Sequence, residues 1–338
     1  MEVHILKEFY KGIFMKQNLM RTVLISLIPI IIFSTYVFGI RVLVLLSIVT
    51  LTGTIAEYLW EKHYKNKTSE AVFVSCVLYT LTLPVSIPIW IAILGILFGL
   101  FFGKLFFGGF GKNIFNPAIV GRIFIYVNFP EPLTTSWNHA ASVFPGGFNT
   151  YITGHIDAIS EATPMILFNN TMELYDIQNL ITGIIPGAIG ETAKILIILA
   201  AIFLIYNKVA SWEIMTGTLI GFLLTNAVFY LLRAPVLNPL HGLFMGGFLF
   251  GTVFMATDPI SAPKTKTGKW IYGIIIGSVT LLIRSMSLFN GGMMFAILMG
   301  NTFAPIIDYF VKENASRKKR KLEALSWKIH FITQFYLW

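Results

Sequence analysis

The sequence has few charged residues and almost no cysteine. Of its 338 residues, 12% are charged and 56% are hydrophobic, whereas a typical soluble protein has about 25% charged residues. Together with a mean hydropathy of +0.74, this excludes an ordinary soluble enzyme and indicates an integral membrane protein. The single cysteine, Cys76, excludes an internal disulfide and a metal site built from several cysteines. We therefore expect no metal site in this chain, and any iron–sulfur cluster to belong to a partner.

Long apolar runs predict the membrane topology. A bilayer core of about 30 Å needs about 20 apolar residues in a helix, and five runs reach that length, whereas five others are shorter or bounded by glycine and proline. We predict an all-α protein with about ten transmembrane helices in a domain at 22–311. The long runs are 22–40, 42–60, 89–107, 214–232 and 293–311, and the shorter ones are 71–83, 116–129, 193–206, 240–257 and 270–284.

The distribution of lysine and arginine orients these helices. Twenty of the 25 cationic residues fall on one side of the predicted membrane, whereas the loop region 130–192 has none. Because cytoplasmic loops are enriched in lysine and arginine, we expect both termini to be cytoplasmic. The N-terminal segment 1–21 has no small-residue cleavage pattern after it and is interpreted as leading into a retained anchor. The basic tail 312–338 is interpreted as a topology signal, and no nucleic-acid partner is expected.

Ten helices with both ends inside divide into five plus five, and an odd number in each half inverts the second half relative to the first. This permits an inverted repeat. The third run of each half stops at a proline, Pro84 or Pro259, and paired interrupted helices mark binding sites at repeat interfaces. The alternative is that proline simply ends a helix.

Three segments between helices have unusual compositions. The predicted inner loop 108–118 has three glycines and two asparagines, Asn113 and Asn116, whose amides suit a neutral polar ligand; a glycine-rich re-entrant turn with asparagine caps is the alternative. The outer segment 157–164 ends in Ala-Thr-Pro, which a helix cap with a first-turn proline also explains. The inner segment 256–263 combines Asp258 with two prolines.

In their order and on these sides, the three segments resemble the NqrB/RnfD family of membrane subunits from ion-translocating NADH:quinone and ferredoxin:NAD oxidoreductases. The resemblance runs from about residue 20 to 312 and includes the segments 186–191 and 303–308. The short N-terminus and the run 162–165 favour the RnfD subunit of an Rnf complex, while the stretch 270–308 is more like NqrB. The implied function is electron transfer between ferredoxin and NAD coupled to Na⁺ or H⁺ transport, with an NqrB-type subunit as the alternative.

The resemblance implies two flavins. A flavin mononucleotide (FMN) is implied to be joined through its phosphate to the threonine of an Asp-x-x-Ser-x-Ala-Thr motif, which makes Thr163 the attachment residue and requires a flavin transferase. This chain has Glu161 where many relatives have glycine. A non-covalent riboflavin is implied near the inner side. The matching residues are Asp157, Ser160, Ala162 and Thr163 for FMN, and Asn113, Asn116 and Asp258 for riboflavin.

The resemblance also implies ion-coupling acids at Glu70, Asp258 and Asp308, of which Asp308 is expected deepest in the membrane. Carboxylates within a membrane are costly and usually functional, although Glu70 and Asp258 could simply face water at helix ends. We expect a multi-pass protein of the inner membrane that is inactive alone. Its expected partners are the other subunits of the complex, including a second covalent-flavin subunit and iron–sulfur subunits. A remote alternative is a solute channel without redox chemistry, which would require that Thr163 carry no flavin.

Overall fold

The described part of the chain is mostly helical, and ten helical segments have the order expected from the apolar runs. The computed structural model describes residues 12–134, 137–138, 140–141, 146–149, 151, 163–171, 174–233, 238–287 and 291–335. The segments are α1 (Asn18–Phe38), α2 (Arg41–His63), α3 (Ala71–Leu81), α4 (Ile89–Gly103), α5 (Pro117–Asn128), α6 (Lys194–Tyr206), α7 (Trp212–Leu231), α8 (Phe248–Phe250 with the π-helical turn Gly251–Met255), α9 (Lys266–Met286) and α10 (Gly292–Phe335).

Six of these helices are long and apolar enough to cross a bilayer: α1, α2, α4 with the 3₁₀ turn Leu105–Phe107, α7, α9 and α10. Their outward side chains are apolar too. On α1, for example, Ile25, Ile28 and Ile32 are each at least half exposed. Exposed isoleucines on one helix face are costly in water but favourable against lipid tails. The protein is therefore an all-α, multi-pass membrane protein.

Helix α8 differs from the continuous run expected at 240–257. The chain forms a short helix at Pro239–Phe244, breaks at 245–247, where Gly246 has a φ of +60°, and resumes as α8. The guanidinium of Arg284 on α9 donates to the carbonyl oxygens of Gly242 and Met245, at 2.8 and 3.2 Å. A break inside a membrane is tolerated where such side chains satisfy the freed backbone groups.

Helix α9 begins before its apolar run, and helix α10 continues beyond its own. Helix α9 begins at Lys266 because Thr265 caps it, its Oγ1 accepting from the N–H of Gly268 at 3.1 Å. Helix α10 continues to Phe335, so the basic segment expected as a tail is helical over its described part.

Close helix crossings and a short sheet complete the fold. Helices α7 and α9 approach so closely that a Cβ on Gly221 or Gly277 would overlap the facing backbone, as is usual where small residues pack membrane helices. The only strands in the described residues are β1 (Phe14–Met15) and β2 (Thr68–Ser69), which pair in parallel. They fix the segment before α1 against the start of α3.

The orientation is open to a direct test. We expect an Asn149→Cys variant to react with a membrane-impermeant maleimide from outside intact cells, and a Lys266→Cys variant to react only in inside-out vesicles. The native thiol gives no background because Cys76 is fully buried. The reverse labelling pattern would invert the orientation assigned to both ends of the helices.

Candidate functional site

The loop 108–118, predicted on the inner side, changes direction at glycines and ends in a helix cap. Gly108, Gly109 and Gly111 have positive φ angles, a conformation that side chains with a Cβ rarely adopt. The side chain of Asn116 accepts from the N–H of Ala118 at 3.0 Å, directly before the proline that begins α5. One of the two roles weighed for Asn116 in the sequence, a helix cap, is therefore present. It does not exclude a ligand, because only the Oδ1 atom is used.

The three residues matched to a riboflavin come together from two distant parts of the chain. Asn113, Asn116 and Asp258 line one cavity, of about 690 Å³ when the open space at its mouth is included. The Asn113 amide donates to the carbonyl of Phe115 at 3.1 Å, while its buried Oδ1 has no hydrogen-bond partner among the residues described. An unpaired acceptor beside apolar walls fits a flat heterocycle with ring N–H groups.

Asp258 is held within its own loop. Its Oδ2 accepts from the hydroxyl of Ser261 at 2.7 Å, and Oδ1 accepts weakly from the N–H of Ile260 at 3.4 Å. Burial raises the pKa of the Asp258 carboxyl above its ordinary value, although these hydrogen bonds oppose the shift. The carboxyl therefore takes up a proton more readily than an exposed aspartate.

Asn301 on α10 joins the two loops of this inner cavity, although no motif in the sequence indicates it. Its Oδ1 accepts from the N–H of Asn116 at 3.3 Å. Its amide donates to the Tyr272 hydroxyl at 2.8 Å and, more weakly, to the Ser261 carbonyl at 3.4 Å. Asn301 is fully buried. The one sequence signal that could have identified it is an asparagine within the apolar run 293–311.

Thr163 lies at a second cavity, of about 920 Å³ out to its mouth. It precedes the helix Pro164–Thr171, and its hydroxyl accepts only weakly from the N–H of Ile166, at 3.4 Å. Asp157, Ser160 and Ala162, the other motif residues, lie outside the described residues. The cavity wall combines aromatic and methionine side chains with basic residues, including Trp137, Tyr126, Met293, Arg122 and Arg284. Stacking surfaces and cationic donors fit a flavin ring, which has acceptor oxygens and nitrogens on one edge.

Helix α8 forms part of the wall of both cavities. Phe250, Gly251 and Met255 line the cavity of Thr163, whereas Val253 and Phe254 line the inner one. Helix α5 also connects the two, since Pro117 at its start lines the inner cavity and Arg122 and Tyr126 line the other. Along α6, Lys194 lines the cavity of Thr163 and Leu204 lines the inner one. The two cavities therefore lie toward opposite ends of α5 and α6, whereas α8 contributes alternating residues to both. π-helical turns like that of α8 often occur at functional sites.

The candidate ion-coupling acids all have hydrogen-bond partners. Glu70 is buried and accepts from the Arg21 guanidinium, with Nε at 2.9 Å, and from the N–H of Gln17 at 2.8 Å. Asp308 is half-buried and accepts from the N–H groups of Lys264 and Thr265 at 2.7 and 3.0 Å, and from the Thr265 hydroxyl at 2.6 Å. It thus contacts the loop before α9, and its side chain is less buried than that of Glu70.

A buried ion pair lies beside the inner cavity. The Lys104 ammonium donates to both carboxylate oxygens of Glu57 at 2.7 Å, and both side chains are almost fully buried. Lys104 also lines the inner cavity. Glu57 lies within the apolar run 42–60, and its charge is compensated by Lys104.

Comparison with known proteins finds one matching family model and several similar proteins. A family model described as "NQR2, RnfD, RnfE family" matches residues 9–317. The B subunit of the Na(+)-translocating NADH-quinone reductase of Azotobacter vinelandii is 37% identical over 285 residues, which cover 81% of this chain and 67% of that protein. Its namesake from Chromohalobacter salexigens is 37% identical over 308 residues, 87% and 72% of the two chains. The namesake from Yersinia pestis is 36% identical over 294 residues, 81% and 67%.

Proposed function

The chain belongs to the NQR2, RnfD, RnfE family, and from this we propose that it is the flavin-carrying membrane subunit of an ion-translocating, NADH-linked oxidoreductase. In this role it works within a complex of the bacterial inner membrane and is inactive alone. Its partners are a second covalent-flavin subunit, iron–sulfur subunits and a flavin transferase that modifies Thr163.

One observation carries the proposal: the residues expected to hold two flavins line two separate cavities toward opposite ends of α5 and α6. Thr163 borders one, and Asn113, Asn116 and Asp258 border the other, with α8 contributing to both walls. A bound flavin supplies the capacity to accept electrons and pass them on. Two such carriers toward opposite membrane faces suit electron transfer across a bilayer.

At the cavity bordered by Thr163, called the outer cavity below, the Thr163 hydroxyl would accept the FMN phosphate from an FAD donor, with AMP as the leaving group. The resulting ester would hold the cofactor at the edge of this cavity. Trp137 and Tyr126 offer stacking surfaces. At the inner cavity, the amides of Asn113 and Asn116 and the carboxyl of Asp258 would hold riboflavin through hydrogen bonds.

Two electron partners are candidates. The names of the relatives favour a quinone as the acceptor of electrons from NADH. The run 162–165, which resembles the RnfD form, favours ferredoxin paired with NAD. The test is to purify the whole complex and to measure quinone reduction by NADH and NAD reduction by reduced ferredoxin. Activity with ferredoxin alone assigns the Rnf type, and activity with quinone alone the Nqr type. Flavin in neither cavity would contradict the role.

The ion-coupling role of Asp308 gives a further prediction. Asp308→Asn removes the charge but nearly preserves the shape, so we expect electron transfer to continue while Na⁺ or H⁺ uptake per electron falls. Complex reconstituted in liposomes, assayed for redox rate and ion uptake together, provides the measurement. Thr265→Val is the matched control, because it removes one of the hydrogen bonds to Asp308 and leaves the charge in place. If Asp308→Asn takes up as many ions per electron as the unmodified complex, Asp308 has only a structural role, which is to hold the loop before α9.

A further inference from the structure

The wall of the outer cavity carries more positive than negative charge. Arg122, Lys194 and Arg284 line it with a single described carboxylate, Glu191. The Arg122 Nη1 lies 3.4 Å from the Glu191 Oε1, and these side chains are 12% and 15% exposed. Lys194 and Arg284 are 1% and 4% exposed. Three cations facing one carboxylate leave two positive charges uncompensated within the described part of the cavity.

The two most deeply buried cations are held by neutral groups. The Lys194 ammonium donates to the carbonyls of Glu191 and Gly246, the latter at 2.7 Å. Arg284 donates to the two carbonyls of the break before α8. Carbonyl oxygens satisfy donors but carry no net charge. Removing ionised groups from water costs several kcal/mol each unless an opposite charge compensates, so this wall is better suited to an anion than to a neutral occupant.

Two donors of this wall make no hydrogen bond. The buried Arg284 Nε has no hydrogen-bond partner in the ranges that the structure describes, and the Arg122 Nη1 has only its ion pair with Glu191, at 3.4 Å and outside hydrogen-bond geometry. An unused guanidinium N–H in a cavity is costly, and a hydrogen bond to a negatively charged acceptor is about twice as strong as one between neutral groups. Unpaired donors and uncompensated charge thus point to the same kind of ligand.

We propose that Arg122, Lys194 and Arg284 form an anion-stabilising wall for the ring of the flavin on Thr163, and that they raise its reduction potential. The inference rests on the proposed function, which supplies that flavin. On reduction the oxidised ring takes up two electrons, delivered by a reduced flavin or iron–sulfur carrier of a partner subunit, and one proton. It then carries one negative charge more than before. The wall stabilises this charged form over the neutral oxidised form, while Glu191 opposes it.

The test is a redox titration of the purified complex with three variants. Arg284→Gln and Lys194→Gln are expected to lower the midpoint potential of the Thr163 flavin, and Glu191→Gln to raise it. A tenfold change in the equilibrium constant for two-electron reduction corresponds to about 30 mV, and we expect at least that for each variant. Subtracting the titration of a Thr163→Ala complex isolates this flavin from the others. Shifts of opposite sign cannot arise from misfolding alone.

Two controls complete the experiment. Arg41 is also buried and donates to a backbone carbonyl, that of Ile87 at 2.9 Å, but does not line the cavity, so Arg41→Gln should leave the potential unchanged. Arg284→Lys keeps the positive charge, so its midpoint potential should stay near that of the unmodified complex. Full covalent loading with unchanged potentials, or reduced loading with unchanged potentials, would overturn the inference; the second result would assign the wall to the phosphate instead. Absence of covalent flavin from the unmodified chain would overturn the proposed function, and this inference with it.

Discussion

Replacing Thr163 with alanine is expected to eliminate covalent flavin from this chain while leaving it folded. The hydroxyl is the only atom of Thr163 able to form a phosphoester, so the loss should be complete rather than graded. The structural cost is small, because the hydroxyl accepts one weak hydrogen bond, at 3.4 Å from the Ile166 nitrogen, and loss of a helix cap costs about 0.5–2 kcal/mol. In-gel fluorescence of the denatured chain measures the flavin, and mass spectrometry of the peptide locates it.

Two other variants separate attachment from local packing. Thr134 lines the same cavity and donates its hydroxyl to the carbonyl of Pro130 at 2.9 Å, so Thr134→Ala should keep the covalent flavin. Thr163→Ser, which retains a hydroxyl, should keep at least part of it. Fluorescence that persists in Thr163→Ala would show that another residue carries the flavin, and an unmodified Thr163 in active complex would reject the attachment altogether.

The membrane fold could be predicted from the sequence because bilayer thickness fixes the length of an apolar helix. The run 42–60 lies within α2, and 89–107 matches α4 with its 3₁₀ turn. The break before α8 could not be predicted, because it depends on Arg284, some 40 residues further along the chain. A run that looks continuous in composition can be interrupted wherever a distant side chain satisfies the freed carbonyls.

Part of the inner cavity lining could also be predicted from the sequence. Asn113, Asn116 and Asp258 stand out because amides, glycines and a carboxylate are unusual beside apolar runs, and the structure brings them to one cavity. Their bonding partners were not visible. Arg284 near the end of a helix is equally consistent with a side chain reaching toward the lipid headgroups, and only the packing of α9 against the break before α8 shows that it is buried. The sequence pattern identifies polar residues within membrane helices, but the packing around each side chain determines its role.

Asn301 is the residue whose replacement should most affect the inner cavity. Asn301→Leu removes the acceptor for the Asn116 N–H and the donor to the Tyr272 hydroxyl, which leaves buried polar groups unpaired on both sides of the cavity. Each such group costs about 1–3 kcal/mol, which corresponds to about a 5-fold to 160-fold change in the balance between the ordered and displaced loops, and apparent affinity falls with the fraction of chains able to bind. We therefore expect non-covalent flavin to be lost during purification, measured as riboflavin released on denaturation per chain.

The covalent flavin serves as the internal standard for this loss. Its attachment depends on the outer end of the molecule, so a chain that folds but has lost the inner clamp keeps fluorescence at Thr163 and releases no riboflavin. A misfolded chain should lose both signals. Asn226→Leu is the matched control, since Asn226 is an equally buried asparagine on α7 that lines neither cavity. Equal riboflavin content in Asn301→Leu and the unmodified chain would mean that the two loops hold their positions without the amide, and that the inner cavity is organised by α5 and α8 alone.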